Sequence, residues 1–132
     1  MSGEALAART VLLVEDSDAI RDAFTILLED AGYTVLGAGT GEDALRLAAE
    51  HAPDLMLLDM GLPDMTGLDV VRQVKAVPAT STIAVVAVTG RDEDADRRAC
   101  LAAGCTAYLV KPINTQKLVR DLPGYLAAAT AG

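Results

Sequence analysis

Four short apolar runs constrain the fold of this chain more than any other feature of its sequence. They are rich in Val, Ile, Leu and Ala, show no alternation of apolar and polar positions, and cover residues 10–14, 54–58, 83–88 and 106–110. Runs of this kind are typical of strands buried on both faces, as in a parallel sheet. A shorter run at residues 33–36 predicts a fifth strand.

Segments with helical periodicity separate the strands. They cover residues 17–31, 41–50, 67–77, 92–103 and 114–128. We expect Pro123 and Gly124 to kink or break the last of them, because proline removes a helical hydrogen bond and clashes with the preceding turn. Strand and helix alternate five times, which predicts a doubly wound α/β domain with helices on both faces of a parallel sheet. The predicted domain covers residues 10–128, with short tails at 1–9 and 129–132.

The composition excludes several classes of function. The chain has 132 residues, enough for one domain of ordinary size, and a net charge of -8 from 11 basic and 19 acidic side chains. This balance argues against binding nucleic acid or an anionic membrane, since both require clustered basic residues. No apolar stretch reaches the ~20 residues of a membrane helix. Two cysteines and one histidine are too few for a disulfide framework or a zinc site, so we expect a cytoplasmic protein with reduced thiols.

Reactive side chains follow four of the predicted strands. Glu15 and Asp16 come after the first, Asp59 after the third, Thr89 after the fourth and Lys111 after the fifth. Parallel strands bring their carboxyl ends to one edge of the sheet, where α/β proteins bind ligands. Three carboxylates in one place favour a hard divalent cation such as Mg²⁺. Since a carboxylate can also act as a nucleophile, the set predicts phosphoryl transfer to Asp59.

The chain resembles the response-regulator receiver domains of two-component signalling systems. The resemblance rests on five segments in order: VLLVED at 11–16, DLMLLD at 54–59, LPDMTG at 62–67, VTG at 88–90 and GCTAYLVKP at 104–112. It extends from about residue 10 to about residue 126. The fold that it implies is a flavodoxin-like, three-layer (βα)5 sandwich, whose five parallel strands lie in the order 2-1-3-4-5.

The resemblance also implies a role for each residue of the site. Asp59 would be the phosphoacceptor and Lys111 would contact its phosphoryl group. Mg²⁺ would be bound by Asp16, Asp59 and the backbone carbonyl of Gly61, with Glu15 acting beside Asp16, often through water. Without the other segments, Glu15 and Asp16 could instead cap the first helix.

A conformational switch is implied as well. Thr89 would bond to the attached phosphoryl group, and Tyr108 would swing inward when Thr89 moves. A packing role is the alternative for Tyr108. The Lys111–Pro112 peptide bond would be cis, as in the family.

The resemblance implies signalling through other proteins. A sensor histidine kinase or a histidine phosphotransfer protein would phosphorylate Asp59, and a downstream protein would receive the signal, because no output domain follows the fifth helix. The protein would be a monomer or a weak dimer. The donor would dock on Ala19, Ile20, Ala23, Pro112 and Ile113, although Ile20 also belongs to the apolar stripe of its helix and could be a core residue.

Other interpretations of the sequence are less consistent with it. Phosphohydrolases of the haloacid-dehalogenase type use similar residues, but their nucleophile lies on the first strand, and Gly61 offers no general acid two positions after Asp59. Receiver domains that act without phosphorylation usually lack one of the key residues, and none is missing here. The glycine-rich run at 37–41 lacks the GxGxxG spacing of a dinucleotide site, so we expect a flexible loop there.

Overall fold

The fold is described from a computed structural model, which covers residues 9–91 and 93–131. Most of the predicted tail at 1–9 therefore lies outside the described residues. The strands are β1 (Thr10–Val14), β2 (Thr34–Ala38), β3 (Leu55–Asp59), β4 (Ala84–Thr89) and β5 (Ala107–Val110). The helices are α1 (Asp18–Asp30), α2 (Gly41–His51), α3 (Gly67–Ala76), α4 (Asp94–Ala103) and α5 (Thr115–Ala131).

The five strands form one parallel sheet in the order β2-β1-β3-β4-β5. This order and the helices on both faces confirm the predicted doubly wound architecture. Successive side chains of a strand point to opposite faces, so each strand contributes to two cores. On one face, Leu13 and Leu57 pack with residues of α1 and α5. On the other face, Leu12 and Met56 pack with residues of α2, α3 and α4.

Polar side chains mark where three of the helices begin. The hydroxyl groups of Ser17, Thr40 and Thr66 each accept a hydrogen bond from the backbone N–H group three residues later. Such N-caps satisfy backbone donors that have no partner inside the helix. Because Ser17 ends the β1–α1 turn and Thr66 ends the β3–α3 loop, these caps also position the loops beside the carboxyl ends of β1 and β3.

The glycine-rich run at 37–41 is not the flexible loop that we expected. Gly37 is part of β2, which continues to Ala38, and Gly41 is the first residue of α2. Glycine is uncommon in strands, which explains why the sequence predicted an earlier end for β2. The elements otherwise lie within two residues of their predicted limits, apart from the C-terminal end of α5.

Helix α5 is also continuous, so Pro123 and Gly124 do not break it as one of the two predicted outcomes required. The helix includes Pro123 and extends to Ala131, beyond the boundary predicted at residue 128. Leu118, Leu122 and Leu126 lie on one face and are buried against the sheet. Pro123 and Gly124 lie on the exposed face. Burial of the apolar face therefore outweighs the hydrogen bond that the proline removes.

This arrangement predicts that both residues limit the stability of α5. Relative to Ala, Pro costs about 3 kcal/mol and Gly about 1 kcal/mol in a helix interior. We expect Pro123→Ala to raise the free energy of unfolding by about 1–3 kcal/mol, measured by urea denaturation. Gly124→Ala should add about 0.5–1 kcal/mol, since a Cβ there meets no atom within 4 Å. Leu122→Ala, in the same turn, should instead cost about 2–5 kcal/mol. A loss of stability in Pro123→Ala would contradict a continuous helix.

None of the helices in residues 9–91 and 93–131 has both the length and the apolarity needed to cross a bilayer.

Candidate functional site

The structure brings the predicted reactive side chains together at one edge of the sheet. Asp59 is the last residue of β3 and Thr89 the last residue of β4. Glu15 and Asp16 directly follow β1, and Lys111 directly follows β5. All five line one cleft of about 690 Å³, which opens at the carboxyl ends of the strands. The parallel strands therefore bring together reactive side chains that are spread over 97 positions of the sequence, from residue 15 to residue 111.

Three carboxylates form an acidic cluster in this cleft. One carboxylate oxygen from each of Glu15, Asp16 and Asp59 lies within 4.8 Å of the others. Glu15 is 5% exposed and Asp59 is 8% exposed, whereas Asp16 is open to solvent. Backbone groups fix the two buried carboxylates: Gly61 N donates to Asp59 Oδ1 at 3.0 Å, and Ser17 N donates to Glu15 Oε2 at 2.9 Å.

Lys111 partly compensates the charge of this acidic cluster. Its Nζ lies 3.1 Å from Asp59 Oδ2 and 3.9 Å from Glu15 Oε1. The backbone N–H of Lys111 donates to Thr89 O at 2.7 Å, which ties the residue to the end of β4. The Lys111–Pro112 peptide bond is cis, as the family resemblance implied. One ammonium faces two buried carboxylates, so the site retains a negative charge.

The electrostatics of the site raise the pKa of Glu15 to about 7 from its ordinary 4.5. Burial is the main cause, because it removes the charged carboxylate from water. Interactions with Asp16 and Asp59 raise the pKa further, and the hydrogen bond from Ser17 N opposes the rise. The cluster is thus an environment in which a further negative charge is unfavourable and a cation is favourable.

The raised pKa predicts a pH dependence of stability in the metal-free domain. Between pH 4.5 and 7 the unfolded chain loses the Glu15 proton while the folded chain keeps it, so stability falls as the pH rises. We expect Glu15→Gln to remove this loss and to be the more stable protein at pH 8, measured by urea denaturation in EDTA.

Glu29→Gln is the matched control, since Glu29 is an exposed carboxylate on α1. This variant should keep the pH dependence of the wild type. An identical fall in stability for Glu15→Gln would assign the effect to another group.

Thr89 and Tyr108 lie on the α4 side of the cleft. Thr89 is buried and its Oγ1 accepts a hydrogen bond from Arg91 N at 3.1 Å. Tyr108 is 6% exposed and its hydroxyl donates to Arg91 O at 2.8 Å. The guanidinium of Arg97 lies 4.9 Å from the centre of the Tyr108 ring, within the range of a cation–π interaction. The Tyr108 ring therefore points inward in this structure, and its role in a switch stays a prediction.

A model of the response regulator receiver domain family matches residues 11–122. The chain belongs to this family. Receiver domains are phosphoacceptor signalling switches rather than enzymes that turn over separate substrates, and they generally bind Mg²⁺ at an acidic site. The acidic cluster of this receiver domain is formed by Glu15, Asp16 and Asp59.

Individual relatives agree with this assignment. The receiver domain is 36% identical over 121 residues to the polar-differentiation response regulator DivK of Brucella ovis, covering 92% of this chain and 98% of DivK. It is similar to the crystal structure of a CheY-like receiver domain protein from Methanospirillum hungatei, with a TM-score of 0.87 and 28% identity over 94% of this chain and 98% of that one. The receiver domain of the sensor histidine kinase PA1611 of Pseudomonas aeruginosa, solved with a magnesium ion in its active-site cleft, gives a TM-score of 0.83 and 30% identity over 92% and 99% of the two chains.

Three of the five residues predicted for donor docking line a second, apolar cavity of about 430 Å³ between α1 and the start of α5, whereas Ala19 and Ala23 do not line it. Ile20, Pro112 and Ile113 line this cavity, which also reaches Asp59 and Lys111. Ile20 is 43% exposed, so it is not the core residue that its helical stripe also allowed. Ala19 and Ala23 are exposed on the same helix.

Sequence reasoning missed Arg21 as a neighbour of the site. Its Nη1 donates to the backbone carbonyl of Glu15 at 2.6 Å, its stem lies against Gly37, and its guanidinium lies against Gly39. An arginine in the first turns of a surface helix gives no signal in a single sequence. Gly37 near the end of β2 and Gly39 in the following loop are the signal that could have indicated a side chain packed closely above them.

Proposed function

We propose that this receiver domain accepts a phosphoryl group on Asp59 from a sensor histidine kinase or a histidine phosphotransfer protein. The observation that carries the proposal is the position of Asp59. Its Oδ2 lies 3.1 Å from Lys111 Nζ, and its carboxylate shares the acidic cluster with Glu15 and Asp16. A nucleophilic carboxylate beside an ammonium and a potential cation site meets the requirements of phosphoryl transfer.

The chemistry of the donor set fits Mg²⁺. Magnesium prefers oxygen ligands and keeps several waters, and the cluster offers three carboxylates, of which Asp16 is open to solvent. Asp16, Asp59 and the carbonyl of Gly61 would hold the ion directly, with Glu15 beside them. When bound, Mg²⁺ neutralises charge on the carboxylates and on the phosphoryl oxygens. The three carboxylates outnumber the one ammonium beside them, and this residual negative charge supports the assignment.

The protein's own residues define the transfer step. A carboxylate oxygen of Asp59 attacks phosphorus, a P–O bond forms, and the P–N bond to the donor histidine breaks. Lys111 stabilises the charge that develops on the phosphoryl oxygens, because its ammonium is held next to the attacking carboxylate. Thr89, at the end of the neighbouring strand, supplies a hydroxyl to the same group once it is attached.

We propose that phosphorylation shifts the equilibrium between the outward and inward positions of the Tyr108 side chain toward the inward one. The inward ring position is stabilised by the bond to Arg91 O and by Arg97. An interaction between Thr89 and the phosphoryl group would favour the same position and reshape the surface formed by α4, β5 and α5. Phosphorylation then biases an equilibrium that exists beforehand. The shifted surface would signal to a downstream protein, with the domain acting as a monomer or a weak dimer.

The donor protein is proposed to dock over the apolar cavity beside α1. We expect Ala19→Glu to slow phosphorylation by a protein donor about tenfold or more, because a charge then faces an apolar contact. Phosphorylation by acetyl phosphate should be unchanged, since this donor needs no docking surface. The rates are measured with a histidine kinase or phosphotransfer protein that phosphorylates the wild type.

Ala49→Glu places the same charge on an exposed position of α2. This variant should be phosphorylated at the wild-type rate by both donors. Equal slowing of Ala19→Glu with both donors would reject this docking surface.

Two further parts of the proposal concern location and turnover. Cys100 and Cys105 are free thiols, which is typical of reducing compartments and supports a cytoplasmic protein. Gly61 has no side chain to act as a general acid two positions after Asp59. We therefore expect self-hydrolysis of the aspartyl phosphate but no turnover of separate phosphate esters.

The proposal is tested by intact-protein mass spectrometry after incubation with acetyl phosphate and Mg²⁺. We expect the mass to increase by one phosphoryl group, and EDTA should prevent the increase. Turnover of p-nitrophenyl phosphate, assayed in parallel, should be absent, and its presence would favour the phosphohydrolase alternative. If no adduct accumulates, beryllofluoride binding is measured by NMR. The absence of both an adduct and beryllofluoride binding would overturn the proposal.

A further inference from the structure

Arg21 does not extend into solvent as an arginine in the first turns of a surface helix usually does. Its side chain is only 23% exposed and lies back across the carboxyl end of β2. Nη1 donates to the backbone carbonyl of Glu15 at 2.6 Å, and Nη2 donates to Asp18 Oδ1 at 2.5 Å. The two arms of the guanidinium therefore join the end of β1 to the first turn of α1, across the turn that carries Glu15 and Asp16.

Two glycines of β2 and the following loop make room for this arginine. A Cβ atom at Gly37 would lie 3.2 Å from Arg21 Cδ, and one at Gly39 would lie 3.3 Å from Arg21 Nη1. Both distances are shorter than an ordinary van der Waals contact. The positive-φ glycines in the described part of the chain are Gly32 and Gly104, so backbone freedom does not explain Gly37 and Gly39. The space that the two glycines leave for the Arg21 side chain explains why no larger residue stands at these positions.

The backbone of Glu15 is held from its other side as well. Glu15 N donates to Ala38 O at 2.9 Å, in continuation of the ladder between β1 and β2. The carboxylate of Glu15 accepts from Ser17 N at 2.9 Å. Arg21 thus completes a set in which the N–H, the carbonyl and the side chain of Glu15 each have a hydrogen-bond partner. Such support fixes the backbone and the carboxylate of Glu15, and with them the start of the turn that carries Asp16.

We infer that Arg21, with the space left by Gly37 and Gly39, is a positioning residue that sets the divalent-cation affinity of the acidic cluster. The inference rests on the proposed function, because it concerns the same cation. Arg21 acts through the Glu15 carbonyl and contacts neither the cation nor the phosphoryl group. Replacing a residue that orients a metal ligand by hydrogen bonding, without contacting the metal itself, commonly weakens metal affinity 10- to 100-fold.

The test compares the Mg²⁺ affinities of variants by NMR titration, without any phosphodonor. Arg21→Met keeps the apolar stem over Gly37 but removes both hydrogen bonds, and we expect its dissociation constant for Mg²⁺ to rise about 10- to 100-fold. Arg21→Lys, which retains one donor, should recover part of the affinity. Gly39→Ala leaves the arginine in place but crowds its guanidinium, and it should weaken binding in the same direction. Arg46→Met and Gly124→Ala are matched controls away from the cleft and should bind Mg²⁺ as the wild type does.

Urea denaturation in EDTA separates positioning from a loss of folding. A purely structural role would lower the stability of Arg21→Met and leave the Mg²⁺ affinity of its folded fraction unchanged, and that result would overturn the inference. An unchanged Mg²⁺ affinity in both Arg21→Met and Gly39→Ala would also overturn the inference. The proposed function would still stand in that case, provided that the wild type binds Mg²⁺. If the wild type itself binds no Mg²⁺, the inference and the proposed cation site fail together.

Discussion

Replacing Asp59 with Asn is expected to abolish phosphorylation by acetyl phosphate completely. The amide retains the shape of the side chain and can still accept the hydrogen bond that Gly61 N donates to Oδ1. It offers no nucleophilic carboxylate, so no acyl phosphate can form at this position. The variant should nevertheless fold, and above pH 7 it should be at least as stable as the wild type, because a buried negative charge next to Glu15 is removed. The measurement is the intact mass of the protein after incubation with the donor and Mg²⁺.

Asp54→Asn provides the control for this experiment. Asp54 precedes the same strand at the opposite end, where its Oδ2 accepts a hydrogen bond from Thr10 N at 2.8 Å. The substitution is chemically identical but distant from the cleft, and the variant should be phosphorylated like the wild type. A phosphoryl adduct that persists in Asp59→Asn would place the acceptor on another residue, with Asp16 as the nearest exposed carboxylate.

The second large effect is expected for Lys111→Met, which should slow phosphoryl transfer about 10²-fold or more. Methionine preserves much of the length and apolar stem of the side chain but removes the ammonium that lies 3.1 Å from Asp59 Oδ2. Charge that develops on the phosphoryl oxygens then lacks a fixed positive partner. The rate is measured by quenching the reaction at short times and quantifying the phosphorylated mass.

Lys117→Met is the matched control, since Lys117 is a lysine in the first turn of α5 whose ammonium pairs with Asp121 at 2.8 Å outside the cleft. This variant should be phosphorylated at the wild-type rate. A wild-type rate for Lys111→Met would mean that the ammonium compensates the resting carboxylates and contributes nothing to the transfer itself.

The strands that carry the site could be predicted because they are buried on both faces. A segment of this kind must be apolar at every position, and β1, β3 and β4 are buried almost throughout. The sequence did not predict the register of the strands, that is, which residues are paired across the sheet. Asp59 is paired with Val88 and Thr89 with Val110, so both side chains belong to the last paired positions of their strands. The sequence predicted that they would follow the strands.

The errors arose where packing between distant residues decides the local structure. Gly37 suggests a loop by its intrinsic preference, but Arg21, which is 16 positions earlier in the chain, occupies the space above it. Pro123 suggests a break, but Leu122 and Leu126 hold α5 against the sheet on both sides of it. In each case a contact made only in the folded protein overrides the local preference, and a single sequence does not contain that contact.

The order of the strands separates the chemistry of this domain from its adaptability. β3, which carries Asp59, lies at the centre of the sheet between β1 and β4, and all five of its residues are buried. β5 lies at the edge with one neighbour, and three of its four residues are half-buried. Central strands open only when the whole molecule unfolds, whereas edge strands can open locally at a lower cost. Local opening of β5 can therefore alter the surface around Tyr108 while Asp59, at the centre of the sheet, keeps its geometry.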